Sequence, residues 1–507
     1  MIKVQGCNNP SLRWADLNAI TQRLAKEDAT IWGSAAQQEA SIRLGWVALP
    51  ESSRDLLPEL DSLSAWSREI GHRHFILCGM GGSSLAPEVI AGTYKKALTV
   101  LDSTDPHQIL RARDCDLAST CIIISSKSGS TIETASQKAF FMKALADEGL
   151  DPVRHMVVIT DPNSPLDQNS RNEGLRVINA NPNVGGRFSA LSAFGLVPAA
   201  LIGVDVSLLL DDASEAAEEF ITKDSTVVRV ADYLARFRFV RFSDAGSPFK
   251  GLSDWIEQLI AESTGKNGVG VLPIVTTSIS KQKHPQVTFA DGGDLVVEGS
   301  LGAQFIFWEW VTALLGFILN VDPFNQPNVT ESKERTLKIL QEWEVLDAVS
   351  PTYADNDFEI YADFNATSPI EFLTHFFAGA AEVNYIALFA YLDRIGESEF
   401  SFIRDVVERS YSRPTTFGWG PRYLHSTGQF HKGGPHIGHF LQITAASDRP
   451  LPIPHQPFGF EKLVMAQALG DGEALHTREL PFMRIHVKNR NDGVKKLTRI
   501  FHELKRG

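Results

Sequence analysis

Two segments rich in glycine and serine carry the groups that a phosphate-binding loop needs. Residues 78–84 read Cys-Gly-Met-Gly-Gly-Ser-Ser, and residues 125–131 read Ser-Ser-Lys-Ser-Gly-Ser-Thr. Each segment follows a short apolar run and precedes a helical pattern, so its N–H groups would lie at a helix N-terminus, where anions bind. The first loop alone is a weak signal, because a tight strand-to-helix turn uses the same glycines. The second loop has more hydroxyl groups than the capping of one helix requires. Together they indicate one phosphate-bearing ligand.

A carboxylate on the apolar side of a later helix is a candidate general base. Trp255, Leu259 and Glu262 share one face at helical spacing, and Gly265 follows as a helix end. A carboxylate in apolar surroundings is suited to accept a proton near neutral pH. The alternative is structural, since Glu262 could form an ion pair with Lys266 four residues later.

The elements that would position these groups follow from short apolar runs, which are typical of buried parallel strands. In the first half of the chain the runs lie at 75–77, 98–101, 121–124, 156–159 and 175–178. Helical patterns at 85–94 and 131–146 separate them. This alternation predicts a doubly wound α/β sheet, with both candidate loops at its carboxyl edge, where ligands of such folds bind.

A second α/β unit is expected further along the chain. We predict helices over 227–242 and 253–262, and strands over 269–272 and 295–297. A further helix is predicted around 378–392, and 416–438 has the composition of loops. Near the N-terminus, Leu17, Ile20 and Leu24 have helical spacing, which predicts a leading helical arm.

These patterns predict four parts of the chain. They are a helical N-terminal arm (1–46), a first α/β domain with the phosphate loops (47–210), a second α/β domain with the candidate base (211–345), and a C-terminal region that completes the second domain and the active site (346–507).

Composition limits the class of protein and of partner. The 507 residues include 43% hydrophobic and 21% charged residues, as in globular enzymes. With 48 basic and 61 acidic side chains the net charge is −13, which disfavours nucleic acid as a partner. Four irregularly spaced cysteines predict neither a disulfide framework nor a zinc site. The uninterrupted apolar stretches are shorter than the ~20 residues that span a bilayer, and the N-terminus does not resemble a secretory signal. We therefore expect a cytoplasmic protein without a membrane segment.

Five motifs in sequence resemble the glucose-6-phosphate isomerase family. They are Gly-Met-Gly-Gly-Ser at 79–83, Ser-Lys-Ser-Gly-Ser-Thr at 126–131, Val-Gly-Gly-Arg-Phe-Ser at 184–189, Glu-Ser-Thr-Gly-Lys at 262–266, and Asn325-Gln326 with Lys333. The first two are similar to loops of sugar-isomerase (SIS) domains in general, and the next two are more specific. The resemblance covers about 70–340. It implies an α/β fold with two SIS-type doubly wound parallel-sheet domains, a helical N-terminal arm and a mixed C-terminal region.

The resemblance also implies an activity: reversible aldose–ketose isomerisation of glucose 6-phosphate and fructose 6-phosphate through a cis-enediol, with no cofactor. Glu262 would move the proton between C1 and C2, and Arg187 would stabilise the enediolate. Gln326 and Lys333 are two helical turns apart, with Pro327 at the first helical position. By the resemblance they would lie near the ring oxygen, with Lys333 taking part in ring opening. The phosphate would be held by the hydroxyls and N–H groups of a larger set, namely Gly82, Ser83, Ser126, Lys127, Ser128 and Thr131.

The ring-opening histidine departs from the family pattern. Family members usually have Thr-Asn-Gly-Gln-His before the glutamine–lysine pair, whereas here Ser-Thr-Gly-Gln-Phe-His stands after it, at 426–431. This order is similar to the isomerase portion of bacterial transaldolase–isomerase fusions. His431 is the favoured ring-opening group, and His425 remains the alternative. The histidines of this stretch lack a tight spacing with a carboxylate, so no metal site is predicted. Because the family supplies this histidine from a neighbouring subunit, we expect a homodimer.

Two alternatives to this function remain open. A non-catalytic phosphosugar-binding regulator would keep the serine-rich loops but would not need Arg187, Glu262 and Lys333. An isomerase of broader specificity, acting also on mannose 6-phosphate, would need all of them and can be separated only by substrate profiling.

Overall fold

The computed structural model describes residues 1–7, 14–222, 225–279, 283–343 and 350–504. The chain divides into two compact units, each formed from two segments. Unit 1 comprises Met1–Asp102 and Ala112–Gln326, and unit 2 comprises Ser103–Arg111 and Pro327–Gly507. The predicted division into four parts stays a prediction, and its boundary at 345/346 lies outside the described residues.

Two sheets form the framework of unit 1. Their strands are β1 (Lys3–Gln5), β2 (His74–Gly79), β3 (Thr99–Leu101), β4 (Thr120–Ser125), β5 (Met156–Thr160), β6 (Arg176–Asn179), β7 (Phe239–Ser243), β8 (Leu272–Val275), β9 (Gln286–Thr288) and β10 (Leu295–Glu298).

Helices cover these sheets. In unit 1 they are α1 (Trp14–Leu24), α2 (Ser34–Ala40), α3 (Leu49–Ser52), α4 (Leu57–Ile70), α5 (Leu85–Thr93), α7 (Ile132–Asp147), α8 (Pro152–His155), α9 (Pro165–Asn172), α10 (Ala193–Leu201), α11 (Val206–Phe220), α12 (Thr226–Leu234), α13 (Leu252–Thr264) and α14 (Leu301–Leu319). The helix α6 (Pro106–Arg113) lies mostly in the Ser103–Arg111 segment of unit 2. Short 3₁₀ turns include Gly81–Ser83 and Gly186–Phe188.

The first sheet has the order β3-β2-β4-β5-β6, and all its strands are parallel. The five apolar runs that predicted strands all lie in it, and every residue of β4 and β5 is buried. Burial on both faces explains why these strands read as continuous apolar runs. In the register Gly79 pairs with Ser125, so the two loops that follow β2 and β4 begin side by side. The predicted doubly wound sheet is confirmed.

The second sheet has the order β1-β10-β9-β7-β8, with β1 antiparallel at one edge and the other strands parallel. The helix predicted over 227–242 was wrong in its second half, because α12 ends at Leu234 and Phe239–Ser243 is the buried strand β7. A fully buried strand has no alternation to separate it from a buried helix. The strand predicted over 269–272 begins only at Leu272.

The core of unit 1 is built around α14. This helix is long and apolar enough to cross a membrane by length and composition, but 89% of its apolar window is buried inside the protein. It packs against α11, α12 and α13, as a core helix does. The polar residues Gln304 and Glu309 interrupt its apolar pattern in the sequence, although both are buried in the structure.

The N-terminal segment is also part of unit 1. The predicted helix is present as α1, and Leu17, Ile20 and Leu24 are buried in the main core. The strand β1 was not predicted, because three residues are too few to show a period. It extends the edge of the second sheet through pairing of Lys3 with Glu298.

Unit 2 has a mixed sheet and a core of its own. Its strands are β11 (Tyr353–Ala354), β12 (Phe358–Tyr361), β13 (Tyr385–Tyr391), β14 (Thr415–Trp419), β15 (Gly438–Ala445) and β16 (Phe482–Val487). Its further helices are α15 (Pro327–Gln341), α16 (Pro369–Ala378), α17 (Ile403–Tyr411), α18 (Gly428–Gly433), α19 (Phe460–His476) and α20 (Arg490–Glu503).

The sheet of unit 2 runs β11-β12-β16-β15-β13-β14, and β14, β13, β15 and β16 are mutually parallel. The helix predicted around 378–392 was wrong, because α16 ends at Ala378 and Tyr385–Tyr391 is a central strand buried along its whole length. The stretch 416–438, predicted as loops, contains most of β14 and the short helix α18. That this region completes the second domain stays a prediction.

Candidate active site

The first predicted phosphate loop is the 3₁₀ turn Gly81–Ser83 between β2 and α5. A Cβ atom on Gly82 would lie 1.9 Å from the carbonyl oxygen of Gly186, so only glycine allows this approach. The Oγ of Ser189 also lies 3.4 Å from the carbonyl oxygen of Gly82. The loop therefore packs directly on the segment that carries Arg187.

The second predicted phosphate loop follows β4 and leads into α7. The Oγ of Ser126 accepts from the N–H of Gly129 at 3.2 Å and lies 3.3 Å from the Oγ1 of Thr131. Thr131 stands at the N-cap of α7, yet its side chain makes no capping hydrogen bond. Ser128 is exposed, with its Oγ 2.8 Å from that of Ser130. Hydroxyls that are not used for capping suit a loop that binds an external anion.

The side chain of Lys127 anchors its loop to other parts of the protein. Its Nζ donates to Asp161 at 2.6 Å and to the carbonyl oxygen of Pro182 at 3.1 Å. The predicted use of Lys127, through its backbone N–H, does not require this side chain. The ammonium instead fixes the loop to the neighbouring strand ends.

Arg187 lies in the 3₁₀ turn Gly186–Phe188, and both Arg187 and Phe188 are buried. Phe188 stacks on Trp46 at 5.2 Å between ring centroids and contacts Phe324 at 5.5 Å, which anchors the turn in the core. The Nε of Arg187 donates to the Oγ of Ser263 at 2.7 Å. Burial lowers the pKa of Arg187, and Glu262 opposes that shift.

Glu262 and Arg187 form a buried ion pair, with Oε1 and Nη1 3.2 Å apart. The Nε2 of Gln258, one turn earlier in α13, donates to the other carboxylate oxygen at 3.1 Å. Asp244 accepts hydrogen bonds from the N–H groups of Gly251 and Ser253 at the start of this helix. The guanidinium supplies the countercharge that a buried carboxylate requires. The structure therefore brings together the predicted base and the predicted enediolate-stabilising cation, 75 residues apart in sequence.

Gln326 ends unit 1 beside the same guanidinium. Its Oε1 lies 3.5 Å from Nη1 of Arg187, and its side chain is exposed. Nη2 of Arg187 also donates to the carbonyl oxygens of Pro323 and Asn325. Within unit 1, Arg187 thus joins the loop next to Gly82, the predicted base Glu262 and the segment that leads to Gln326.

Lys333 and His431 belong to unit 2. Lys333 is exposed on α15, which begins at Pro327 as the sequence predicts. Gln429 fixes α18 to α15 by two hydrogen bonds, accepting from the N–H of Asn328 at 3.0 Å and donating to its Oδ1 at 2.8 Å. The helices that carry Lys333 and His431 are therefore held together within this unit.

His431 is buried among aromatic rings. Its Nδ1 lies 2.9 Å from the hydroxyl of Tyr385, and the rings of Phe389 and Phe440 contact it edge-on. Burial, assisted by Lys432, lowers the pKa of His431 to about 3, so the imidazole is neutral at neutral pH. Its Nε2 has no hydrogen-bond partner among the described residues. The alternative, His425, is half-buried at the end of a 3₁₀ turn.

Three side chains that contact the predicted site residues or their segments have no functional role in the sequence-based prediction. Gln258 precedes Glu262 by four residues, so helical spacing could have found it. Lys266 is buried and its Nζ donates to the carbonyl oxygen of Asp322, whereas the structural alternative had paired it with Glu262. Tyr385 is 46 residues from His431, and no local pattern in the sequence links them.

Residues 54–234 match the family model described as phosphoglucose isomerase. This part of the chain resembles the phosphoglucose isomerase family. It includes both predicted phosphate loops and Arg187, whereas Glu262, Gln326, Lys333 and His431 lie beyond it.

Curated relatives extend the similarity past that segment. A glucose-6-phosphate isomerase of Thermus thermophilus is 34% identical over 281 residues, which cover 52% of this chain and 66% of that protein. A glucose-6-phosphate isomerase of Campylobacter jejuni is 32% identical over 267 residues, covering 49% and 64%. The chain thus spans just under two thirds of the length of these relatives.

Solved structures resemble the fold. A hypothetical protein from Thermus thermophilus superposes with a TM-score of 0.57 at 25% identity, covering 67% of this chain and all of that one. A glucose-6-phosphate isomerase from Chlamydia trachomatis superposes with a TM-score of 0.54 at 17% identity, covering 66% and 84%. The second similarity concerns the fold alone, and it agrees with the α/β architecture described above.

Proposed function

We propose that the protein interconverts glucose 6-phosphate and fructose 6-phosphate by aldose–ketose isomerisation. The buried pair of Arg187 and Glu262 carries this proposal. A carboxylate can remove a proton from one carbon and return it to the next, and a fixed guanidinium beside it stabilises the enediolate formed between the two steps. The name of the curated relatives agrees with this reaction.

The substrate phosphate is assigned to the two loops of the first sheet. Ser83, Ser126, Ser128 and Thr131 supply hydroxyls, and Gly82 and Lys127 supply backbone N–H groups. The contact of Gly82 with Gly186 supports this assignment, because it makes the first loop continuous with the segment that carries Arg187. Neutral donors suit a dianion that must also be released after reaction.

Ring opening is assigned to Lys333 and His431, with Gln326 near the ring oxygen. Because Nδ1 of His431 lies against Tyr385, Nε2 is the nitrogen left to exchange a proton with the sugar. The phenol of Tyr385 stays protonated, since burial raises its pKa well above the usual value. We also place the protein in the cytoplasm as a homodimer that needs no cofactor.

The direct test is conversion of fructose 6-phosphate to glucose 6-phosphate by the purified protein, with a metal chelator present. Turnover that survives chelation supports a metal-independent isomerase. Absence of turnover together with retained phosphosugar binding would favour the non-catalytic regulator. Parallel assays with mannose 6-phosphate measure the breadth of specificity, and light scattering on the same sample measures the oligomeric state.

Ser128→Ala should weaken substrate binding with little effect on turnover. The exposed hydroxyl would contact only the phosphate, which does not change during the reaction, so KM should rise by about 10-fold while kcat stays within about twofold. Steady-state kinetics with fructose 6-phosphate measure both constants. Ser41→Ala, at another exposed serine, is the control. A fall in kcat alone would contradict the division of labour between the loops and Glu262.

His431→Gln should slow the reaction of cyclic substrate far more than that of an open-chain one. Loss of an acid–base group at ring opening costs about 10²-fold or more in kcat. 5-Deoxyfructose 6-phosphate lacks the hydroxyl that closes the furanose ring, so it should be affected much less. His425→Gln is the matched variant from the same segment. If it, and not His431→Gln, separates the two substrates, ring opening belongs to His425.

A further inference from the structure

Lys266 is a buried cation for which the proposed reaction has no role so far. It closes the Glu-Ser-Thr-Gly-Lys motif and follows α13 directly. Its backbone pairs with Val269 in a tight bridge, and its Nζ donates to the carbonyl oxygen of Asp322. The side chain is therefore fixed at both ends.

The partner of Lys266 belongs to a short segment that Arg187 also holds. Lys266 binds the carbonyl oxygen of Asp322, and Arg187 binds those of Pro323 and Asn325. The carboxylate of Asp322 accepts the N–H of Phe324 at 2.8 Å. Two cations and one carboxylate thus fix the backbone of 322–325, and the next residue is Gln326.

This arrangement buries an amine among charged groups. Burial and the neighbouring Arg187 lower the pKa of Lys266 well below its usual value, while Asp322, Glu262 and Glu39 oppose that shift. Removing an amine from water costs stability, and an apolar side chain of similar length would avoid that cost. A role in folding alone is therefore a poor explanation of Lys266.

We propose that Lys266 is a positioning residue, which fixes the segment 322–325 and thereby sets Gln326 relative to Arg187 and Glu262 at the reacting sugar atoms. This inference rests on the proposed isomerase function. Its physical basis is that a charged donor holds a carbonyl oxygen more strongly than a neutral one. Displacement of a positioning group by about 1 Å can cost about 10²-fold in rate.

Lys266→Met is the first test, since methionine keeps the length of the side chain but not its donor. We expect kcat for fructose 6-phosphate to fall about 10²-fold. Competitive inhibition by inorganic phosphate should change by less than about twofold, because the phosphate loops are untouched. Lys250→Met, at an exposed lysine of the same unit, is the control and should match the wild type.

The pH profile separates positioning from a structural role. As the pH rises, wild-type Lys266 loses its proton earlier than an ordinary lysine, its hydrogen bond to Asp322 weakens, and kcat should fall. Lys266→Arg keeps its charge throughout, so its kcat should lack this alkaline decline. This variant also serves if Lys266→Met does not fold.

The outcomes are distinct. An unchanged kcat in Lys266→Met, or an alkaline decline that persists in Lys266→Arg, would overturn the inference while wild-type activity stands. A wild-type protein without isomerase activity would overturn the proposed function itself, and the inference with it.

Discussion

Glu262→Gln should lower kcat by about 10³-fold or more with fructose 6-phosphate as substrate, within the upper range for loss of a general base. The amide has the size of the carboxylate, and its oxygen can still face Nη1 of Arg187. It cannot accept the proton that must move between C1 and C2. Inhibition by inorganic phosphate should stay near the wild-type level, because the loops around Gly82 and Ser126 do not depend on the charge of Glu262.

The control for this variant is Glu257→Gln, on the same helix but half-buried and outside the Arg187 pair. Its kcat should stay within about twofold of the wild type. Residual activity must be measured on protein free of host isomerase, since a loss of this size is masked by trace contamination. A Glu262→Gln variant with ordinary turnover would remove Glu262 from the mechanism.

Arg187→Lys should lower kcat/KM by about 10²- to 10³-fold, as loss of a fixed donor at an oxyanion does. The guanidinium of Arg187 contacts Glu262, Ser263 and the carbonyl oxygens of Pro323 and Asn325 at the same time. An ammonium keeps the charge but has no planar fork, so it cannot make these contacts together. The variant should therefore lose both stabilisation of the enediolate and the order of the 322–325 segment.

Arg43→Lys is the matched control, because Arg43 is partly exposed and outside the Glu262 pair, with contacts to Glu39 at 2.7 Å and to the carbonyl oxygen of Pro182 at 3.3 Å. It should keep kcat/KM within about twofold. Thermal unfolding of Arg187→Lys distinguishes the chemical loss from a collapse of the fold. If the variant is folded and its kcat/KM is unchanged, Arg187 does not stabilise the transition state.

Elements that depend on local patterns were predicted correctly. The strands of the first sheet are short apolar runs, and runs of about four residues between helical patterns are too short to be helices themselves. The starts of α5 and α15 followed from the glycine-rich loop and from Pro327. These features are encoded within a few residues of sequence.

Two strands in the interior of their sheets were predicted wrongly. The segments 239–243 and 385–391 are central strands, yet both were predicted as continuations of helices. Along a strand buried on both faces, apolar side chains point to both sides, so neither the period of a strand nor that of a helix is visible. Which of the two forms depends on the strands that pair with it, and these are remote in sequence.

The sequence alone determined which chemical groups are present and their local setting: a carboxylate on the apolar face of a helix, an arginine after two glycines, and hydroxyls at a helix start. The tertiary structure decided which of them meet. Local spacing offered Lys266 as one possible partner of Glu262, but the folded chain pairs Glu262 with Arg187 and directs Lys266 to the carbonyl oxygen of Asp322. The packing of α13 against loops that are distant in sequence determines which buried charges form pairs. Only in the folded protein are the two charged groups close to each other and shielded from water.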